Sequence, residues 1–499
     1  MKSKVKRAVT ALSAFAALAS VGISTASAAG VPSESYNYDR WGEAIPSQAG
    51  YTADRTVSGD DLEIGALDSP SDLFIDHDGT VYITDTGNDR IIAADSELKS
   101  VLRVYDRFTM PDGSETGLSK PMGVYASEAG SLYIADTENS RILVTDMAGN
   151  VKNEITKPES EVYDQKRTFL PQRVVADKAG NVYTVLGNIT TGAAMFSPDG
   201  GFMGFYGANR VEATAKVVSN YFRSFFMSDE KKARRTRTVP SGITSFDIDG
   251  DFIFTCTSST TQSTDIVKKL NAAGKNIFAD RELYFGDYKP VYDATQNKMY
   301  YTSLVDIDIA EDGCINCLDF TTGRVFQYDE ECNLLFITGG IAKQTGGFDH
   351  VAAVESLDDK IYVLDSSKDT VTVFRETSFG KAVHKAASLY NDGYYEEALE
   401  PWQEVLARDG NYLRAYEGIA SALLRKGDYK GAMKYAKLAD AGDIYNKAFE
   451  GRRREFLKEH FTAAASVTVL CIAALTAWGI YRKRRRTMKN KKEKEAERQ

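Results

Sequence analysis

Two stretches of the 499-residue chain can be laid on one another: SPSDLFIDHDGTVYITDTGNDRIIAAD (69–95) and KPMGVYASEAGSLYIADTENSRILVTD (120–146). Pro70 and Pro121 are 51 positions apart, as are Tyr82 and Tyr133, Asp85 and Asp136, and Arg90 and Arg141. In each copy an alternating run ends at a polar turn, Asp78-Gly79 or Ala129-Gly130. A second run leads to Asp-x-x-Asn-x-Arg, and a third follows the arginine. Period-two runs broken by such turns read as strands.

The pattern recurs along the chain. LPQRVVADKAGNVYTVLGN (170–188) carries Pro171, 50 residues after Pro121. A fourth copy begins near Pro240 as PSGITSFDIDGDFIFTC, without the Asp and Arg. The fifth, VDIDIAEDGCINCLDFTTGRVFQYD (305–329), sets Asp319 and Arg324 on the positions of Asp85 and Arg90. The sixth, beginning at Val351, sets Asp365 there. The repeated carboxylates can accept turn amides, and the guanidinium can bridge to a neighbouring strand or back to the Asp. A three- or four-stranded sheet buries too little alone, so six units of this period are expected to pack radially as propeller blades. The repeat resembles the NHL family of six-bladed β-propellers over about 320 residues, and the fold is expected to be mainly β across 66–380.

Around this array lie shorter segments. Residues 29–65, with Tyr36, Tyr38 and Trp41, are expected to close the ring on the sixth blade, since an open ring leaves edges. An insertion over 211–238 shows helical spacing of Val217, Tyr221 and Phe225 and a basic end. After residue 380 the period turns helical: Gly393 and Ala398 recur as Gly427 and Ala432, 34 positions on, so 381–460 resembles tetratricopeptide repeats.

Both ends are basic and apolar. Lys2, Lys4, Lys6 and Arg7, an apolar run and Ala26-Ser27-Ala28 make residues 1–28 read as a secretory signal. Phe461–Tyr481 carries no charge over 21 residues, enough at about 1.5 Å per residue to cross the hydrocarbon core. Trp478 and Tyr481 precede a basic tail over 482–499 with net charge +7. The formal charge of −9 therefore splits, leaving −20 over 29–481. These features predict a single-pass type I protein of a cell membrane, of Gram-positive type, with an acidic ectodomain outside that does not bind nucleic acid.

Four histidines exclude a large His-based metal centre, and only His77 and His350 fall in the propeller. No Walker loop, G-x-G-x-x-G or G-x-S-x-G motif is present. Asp85, Asp136, Asp319 and Asp365 are read as turn-fixing residues, with a cation-binding ring as the alternative. Cys256, Cys314, Cys317 and Cys332 form an even set suited to one or two disulfides. Alternation would put Cys314 and Cys317 on opposite strand faces, and a four-Cys zinc site is the alternative use. Gluconolactonase-like propellers hold a divalent metal in the funnel. Glu63, Asn188 and Asp306 have suitable side chains, but spacing does not select them.

The resemblance implies a non-catalytic scaffold binding other membrane or extracytoplasmic proteins, with a sugar or small-molecule ligand, near a solute uptake system. It implies no cofactor beyond a divalent funnel metal. The rival expectation is a membrane-tethered, gluconolactonase-like hydrolase.

Overall fold

The computed structural model describes residues 35–207, 242–258, 266–279, 281, 283–293, 297–344 and 346–496. The signal at 1–28 and the helical insertion expected at 211–238 lie outside the described residues. The chain divides after His384 into two compact units.

The first unit is a ring of six antiparallel sheets. Blade one is Asp72–Ile75, Val81–Asp85, Arg90–Ala94 and Val101–Tyr105; blade two begins at Pro121–Ser127 and blade three at Pro171–Ala176. Blade four has three described strands, Ile243–Asp249, Phe252–Thr257 and Val267–Leu270. Blade five runs from Leu304–Ile309 through Ile315–Asp319 and Arg324–Tyr328 to Leu334–Gly339. Blade six takes Val351–Leu357, Lys360–Asp365 and Thr370–Glu376 from the end of the ring and Tyr51–Ser58 from its beginning. This last pairing runs from Ser58 opposite Thr370 to Tyr51 opposite Glu376. It gives the outer edge of Thr370–Glu376 a partner from the start of the chain.

Apolar side chains fill the gaps between blades. Val57, Leu73, Val81, Tyr362 and Val371 pack between blades six and one, and Cys256, Leu304, Ile307, Ile315 and Phe326 between blades four and five. The first strand of each blade lies beside the first strand of the next, and the sixth returns to the first. These six strands surround the central channel.

The repeated Asp residues serve the turns between the second and third strands. Asp85 accepts from the Asp68 amide at 2.8 Å, Asn88 Nδ2 at 2.9 Å and Arg90 Nε at 2.7 Å. Asp136 accepts from Ser119, Asn139 and Arg141 at the same distances. Asp319 takes the Ser303 amide and the Thr322 hydroxyl, and Asp365 the amides of Ser367 and Lys368. Arg324 departs from the pattern. Although it pairs opposite Asp319 in the sheet, its guanidinium turns to Asp287 at 3.3 Å and to the Tyr36 hydroxyl at 3.0 Å. The hairpin of Tyr36–Tyr38 and Ala44–Pro46 thereby occupies the place that a second acceptor fills elsewhere.

The disulfide expectation is corrected: Cys256, Cys314, Cys317 and Cys332 are all free thiols. Cys317 faces blade four with Cys256 inside an apolar cluster, with Cys332 at its margin. Cys314, three residues earlier, is not in that cluster. A four-Cys zinc set is therefore excluded by the pleat.

The second unit is helical. Helix α1 is Ser378–Asn391 and crosses the division; α2 is Leu399–Arg408, α3 Leu413–Arg425, α4 Tyr429–Leu438 and α5 Gly442–Ala496. Gly393 and Gly427, at φ of 83° and 78°, follow α1 and α3 in the left-handed conformation that ends helices. Ala398 and Ala432 are fully buried, and Trp402 stacks on Tyr412. Helix α5 is long and apolar enough to cross a membrane, by length and composition.

Candidate functional site

The channel is built from one irregularity repeated around the ring. In the inner strands of blades two to six, pairing with the second strand slips by one residue: between Pro121 and Gly123, Pro171 and Arg173, Ile243 and Ser245, Leu304 and Asp306, and Val351 and Ala353. Such a bulge leaves the skipped residue outside the ladder, with a carbonyl free to turn elsewhere. Two of these skipped residues, Met122 and Ala352, and Ser71 of blade one offer their carbonyls to one side chain. Arg173 Nη1 donates to Ser71 O at 2.8 Å and Met122 O at 3.1 Å, and Nη2 to Ala352 O at 2.9 Å. Arg173 Nη1 also lies 2.7 Å from Asp72 Oδ1. One guanidinium from blade three is thus tied to blades one, two and six, and it crosses the channel. Asp72 and Asp306 are buried at this level, while Ser71, Met122 and Ala352 before it and Phe74, Asp247 and Glu355 beyond it are half-buried.

Counting from the bulges, the next inward positions are Phe74, Tyr125, Val175, Asp247, Asp308 and Glu355 on blades one to six. The ring is divided. Blades one and two present aromatic rings whose centroids are 4.9 Å apart, and blades four, five and six present three carboxylates.

Each carboxylate has the same second task. Neighbouring inner strands are not paired as a sheet, so their edge amides need acceptors. Asp72 Oδ2 accepts from Val124 N of blade two at 2.9 Å, Asp247 Oδ2 from Ile309 N of blade five at 2.7 Å, and Asp306 Oδ2 from Val354 N of blade six at 2.7 Å. Glu355 Oε2 closes the circuit at Ile75 N of blade one, 3.3 Å away. Asp308 accepts from the Ser356 hydroxyl at 2.6 Å and from Asn316 Nδ2 at 2.7 Å.

Burial raises every one of these acids, because a carboxylate loses more solvation than a carboxylic acid. Asp72 is pushed up to about 7; Arg173 pulls the other way and Asp306 adds to the rise. Asp308 is also pushed up to about 7, by burial, against hydrogen bonds from Ser356 and Asn316. Asp306 is raised by burial despite Arg173, and Asp247 and Glu355 are raised well above the carboxylate range by burial and then by Asp308. For Arg173 burial lowers and Asp72 and Asp306 raise; the acids win, and the guanidinium stays charged. Arg173 therefore holds positive charge beside acids that burial pushes toward their protonated form.

Among the described residues, the only His, Cys or carboxylate ligand atoms found as a trio within 4.8 Å of one another belong to Asp312, Cys314 and His384, on the outward turn of blade five. The channel acids are spaced around the wall and held by amides.

Of the three residues named for a funnel metal, Asp306 lies in the channel. Glu63 is in an exposed turn, and Asn188 Nδ2 is bound to Thr168 O at 3.1 Å. Asp72, Arg173, Asp247, Asp308 and Glu355 were not singled out as site residues by sequence reasoning. Their common signal is two columns of the repeat, two residues apart, obscured in blade four because Ile243, not Pro240, holds the place of Pro121. A cleft of about 560 Å³ between blades three and four, lined by Tyr183, Tyr206 and Phe252, lies away from this ring.

No described protein family matches the chain. Among curated proteins it is similar to a gluconolactonase of Zymomonas mobilis, 26% identical over 203 residues that cover 38% of this chain and 56% of that protein. It is also similar to a probable peptidyl-alpha-hydroxyglycine alpha-amidating lyase of Caenorhabditis elegans, 27% identical over 103 residues that cover 20% and 29%. The chain thus spans little more than half of the first relative and less of the second. Among solved structures, a virginiamycin B lyase from Staphylococcus aureus aligns with 66% of this chain and 100% of its own, at 10% identity and a TM-score of 0.38. A streptogramin B lyase aligns over the same shares at 10% identity and a TM-score of 0.40.

Proposed function

We propose that the chain is a membrane-anchored extracytoplasmic binding protein. Its channel holds a small polar ligand of sugar-like chemistry without converting it, and the protein acts beside other membrane proteins in solute uptake. The observation that supports this reading is the divided ring. Phe74, half-buried and packed against Tyr125, offers a flat apolar face for the C–H side of a sugar, and the half-buried Asp247 and Glu355, backed by Asp308, offer carboxyl groups to its hydroxyls. Arg173 spans the channel at one level, tied to blades one, two and six. Anchoring rests on the uncharged stretch 461–481 within α5 and the basic residues that follow it.

The expectation of binding without turnover draws on how the acids are held. General acid–base work needs a group within reach of substrate and free to exchange a proton. Here each carboxylate already accepts from a neighbouring blade. The intact chain in detergent, assayed with monosaccharides and aldonolactones for both binding and hydrolysis, tests the reading; binding without hydrolysis is expected.

A second reading, a lactone hydrolase, draws on the 26% identity to the gluconolactonase. It requires the acids to leave their amide partners on binding a metal. Hydrolysis lost in chelator and restored by a divalent ion would establish it in place of the first.

A further inference from the structure

The structure assigns a transition-metal site, independent of the channel, to Asp312, Cys314 and His384. Their ligand atoms lie within 4.8 Å of one another. Asp312 and Cys314 sit on the turn between the first two strands of blade five, and the Cys314 amide donates to Asp312 Oδ1 at 3.0 Å, which holds the carboxylate beside the thiol. His384 comes from α1.

A second observation points the same way. His384 Nδ1 lies 2.7 Å from Glu376 Oε1, the carboxylate–histidine arrangement that orients metal-bound imidazoles and leaves Nε2 as the ligating atom. The ring is also fixed by packing, edge-on to Phe336 at 5.5 Å and near Tyr51 at 6.1 Å. Nε2 faces Gln327 Oε1 at 2.8 Å, so both nitrogens now meet oxygens. A cation at Nε2 would take the place of that hydrogen bond, with Gln327 or a water at hand as fourth ligand.

Charge and softness select the class of ion. The Cys314 thiol is buried beside the exposed Asp312 carboxylate. Thiolate and Asp312 together carry two negative charges against a divalent ion. One sulfur, one nitrogen and one oxygen suit Zn(II) or Co(II) and not Ca(II) or Mg(II). Tetrahedral sites with metal–ligand bonds of about 2.0–2.3 Å need ligands closer than 4.8 Å, and Asp312, exposed to solvent, can close the gap and admit the ion. The bound ion would clasp the start of α1 to blade five.

The intact chain in detergent, stripped with chelator, is titrated with Zn(II) and with Co(II). One equivalent of zinc and a thiolate-to-Co(II) charge-transfer band are expected. Both should disappear in C314S and in H384Q and persist in C332S, with circular dichroism reporting that each variant is folded. Absence of stoichiometric uptake by the wild type overturns the assignment. So does uptake without the thiolate band, or uptake that survives in folded C314S.

Discussion

Arg173 Nη1 of blade three lies 2.7 Å from Asp72 Oδ1 of blade one, reaching past the whole of blade two. The same guanidinium holds carbonyls of blades one, two and six. The ring is therefore fastened at its axis as well as at the closing strand Tyr51–Ser58.

Replacing Arg173 should be costly for that reason. R173M leaves Asp72 buried beside Asp306 without its partner and strips three carbonyls, so a loss of about 3–5 kcal/mol is expected in denaturant unfolding. R173M/D72N should lose less than the sum of the single variants, by a coupling of about 1–3 kcal/mol. Additive losses would show that the two side chains act separately.

The channel acids give stability an unusual pH dependence. Asp72 and Asp308, at about 7 in the folded chain, bind protons there that the unfolded chain has released above the ordinary carboxylate value of about 4. The folded state holds more protons between about pH 4 and 7, so this contribution is fully present below about 4 and is lost as pH rises through about 7. Melting temperature should fall from pH 5 to 8, and less steeply in D308N. A melting temperature that climbs over this interval in the wild type contradicts the raised values.

In the helical unit, Gly418 of α3 meets Trp402 of α2. A Cβ at Gly418 would lie 2.2 Å from the indole Nε1. Alanine in a helix normally gains about 1 kcal/mol over glycine, but overpacking a core typically costs about 1–3 kcal/mol. Because the indole is fully buried and stacked on Tyr412, the steric effect should win. Expected is a net loss of about 1–2 kcal/mol in G418A, measured by thermal or denaturant unfolding. A stabilised G418A would mean that the helices separate freely.

The thiols supply a third kind of check. With Cys256, Cys314, Cys317 and Cys332 unpaired, melting should be unchanged by reductant. A thiol reagent should reach Cys256 and Cys317 only after unfolding, since both are buried inside the blade core. A reductant-dependent drop in melting temperature would restore a disulfide.

The propeller was legible because its signals are local. Alternation, Asp78-Gly79 turns and the Asp-x-x-Asn-x-Arg motif each act within about 25 residues, and Asp85 and Asp136 indeed hold the same three partners. The channel was not legible. Whether an inner-strand residue faces inward depends on a one-residue bulge, and a slip of one reverses every side chain. Asp247 and Asp308 could be read as inward-facing only once Ile243 and Leu304 were known to match Pro121. Arg324 shows the same limit: its motif is regular, but its partners Asp287 and Tyr36 come from a loop and a hairpin remote in sequence.

Binding and turnover measured together on the intact chain test the account most directly. Monosaccharides and aldonolactones are screened by thermal shift while hydrolysis is followed in the same samples. The account predicts that at least one compound raises the melting temperature without being consumed, and that D308N and Y125L abolish the shift. Chelator-sensitive hydrolysis of a lactone, or a shift that both variants retain, would contradict it.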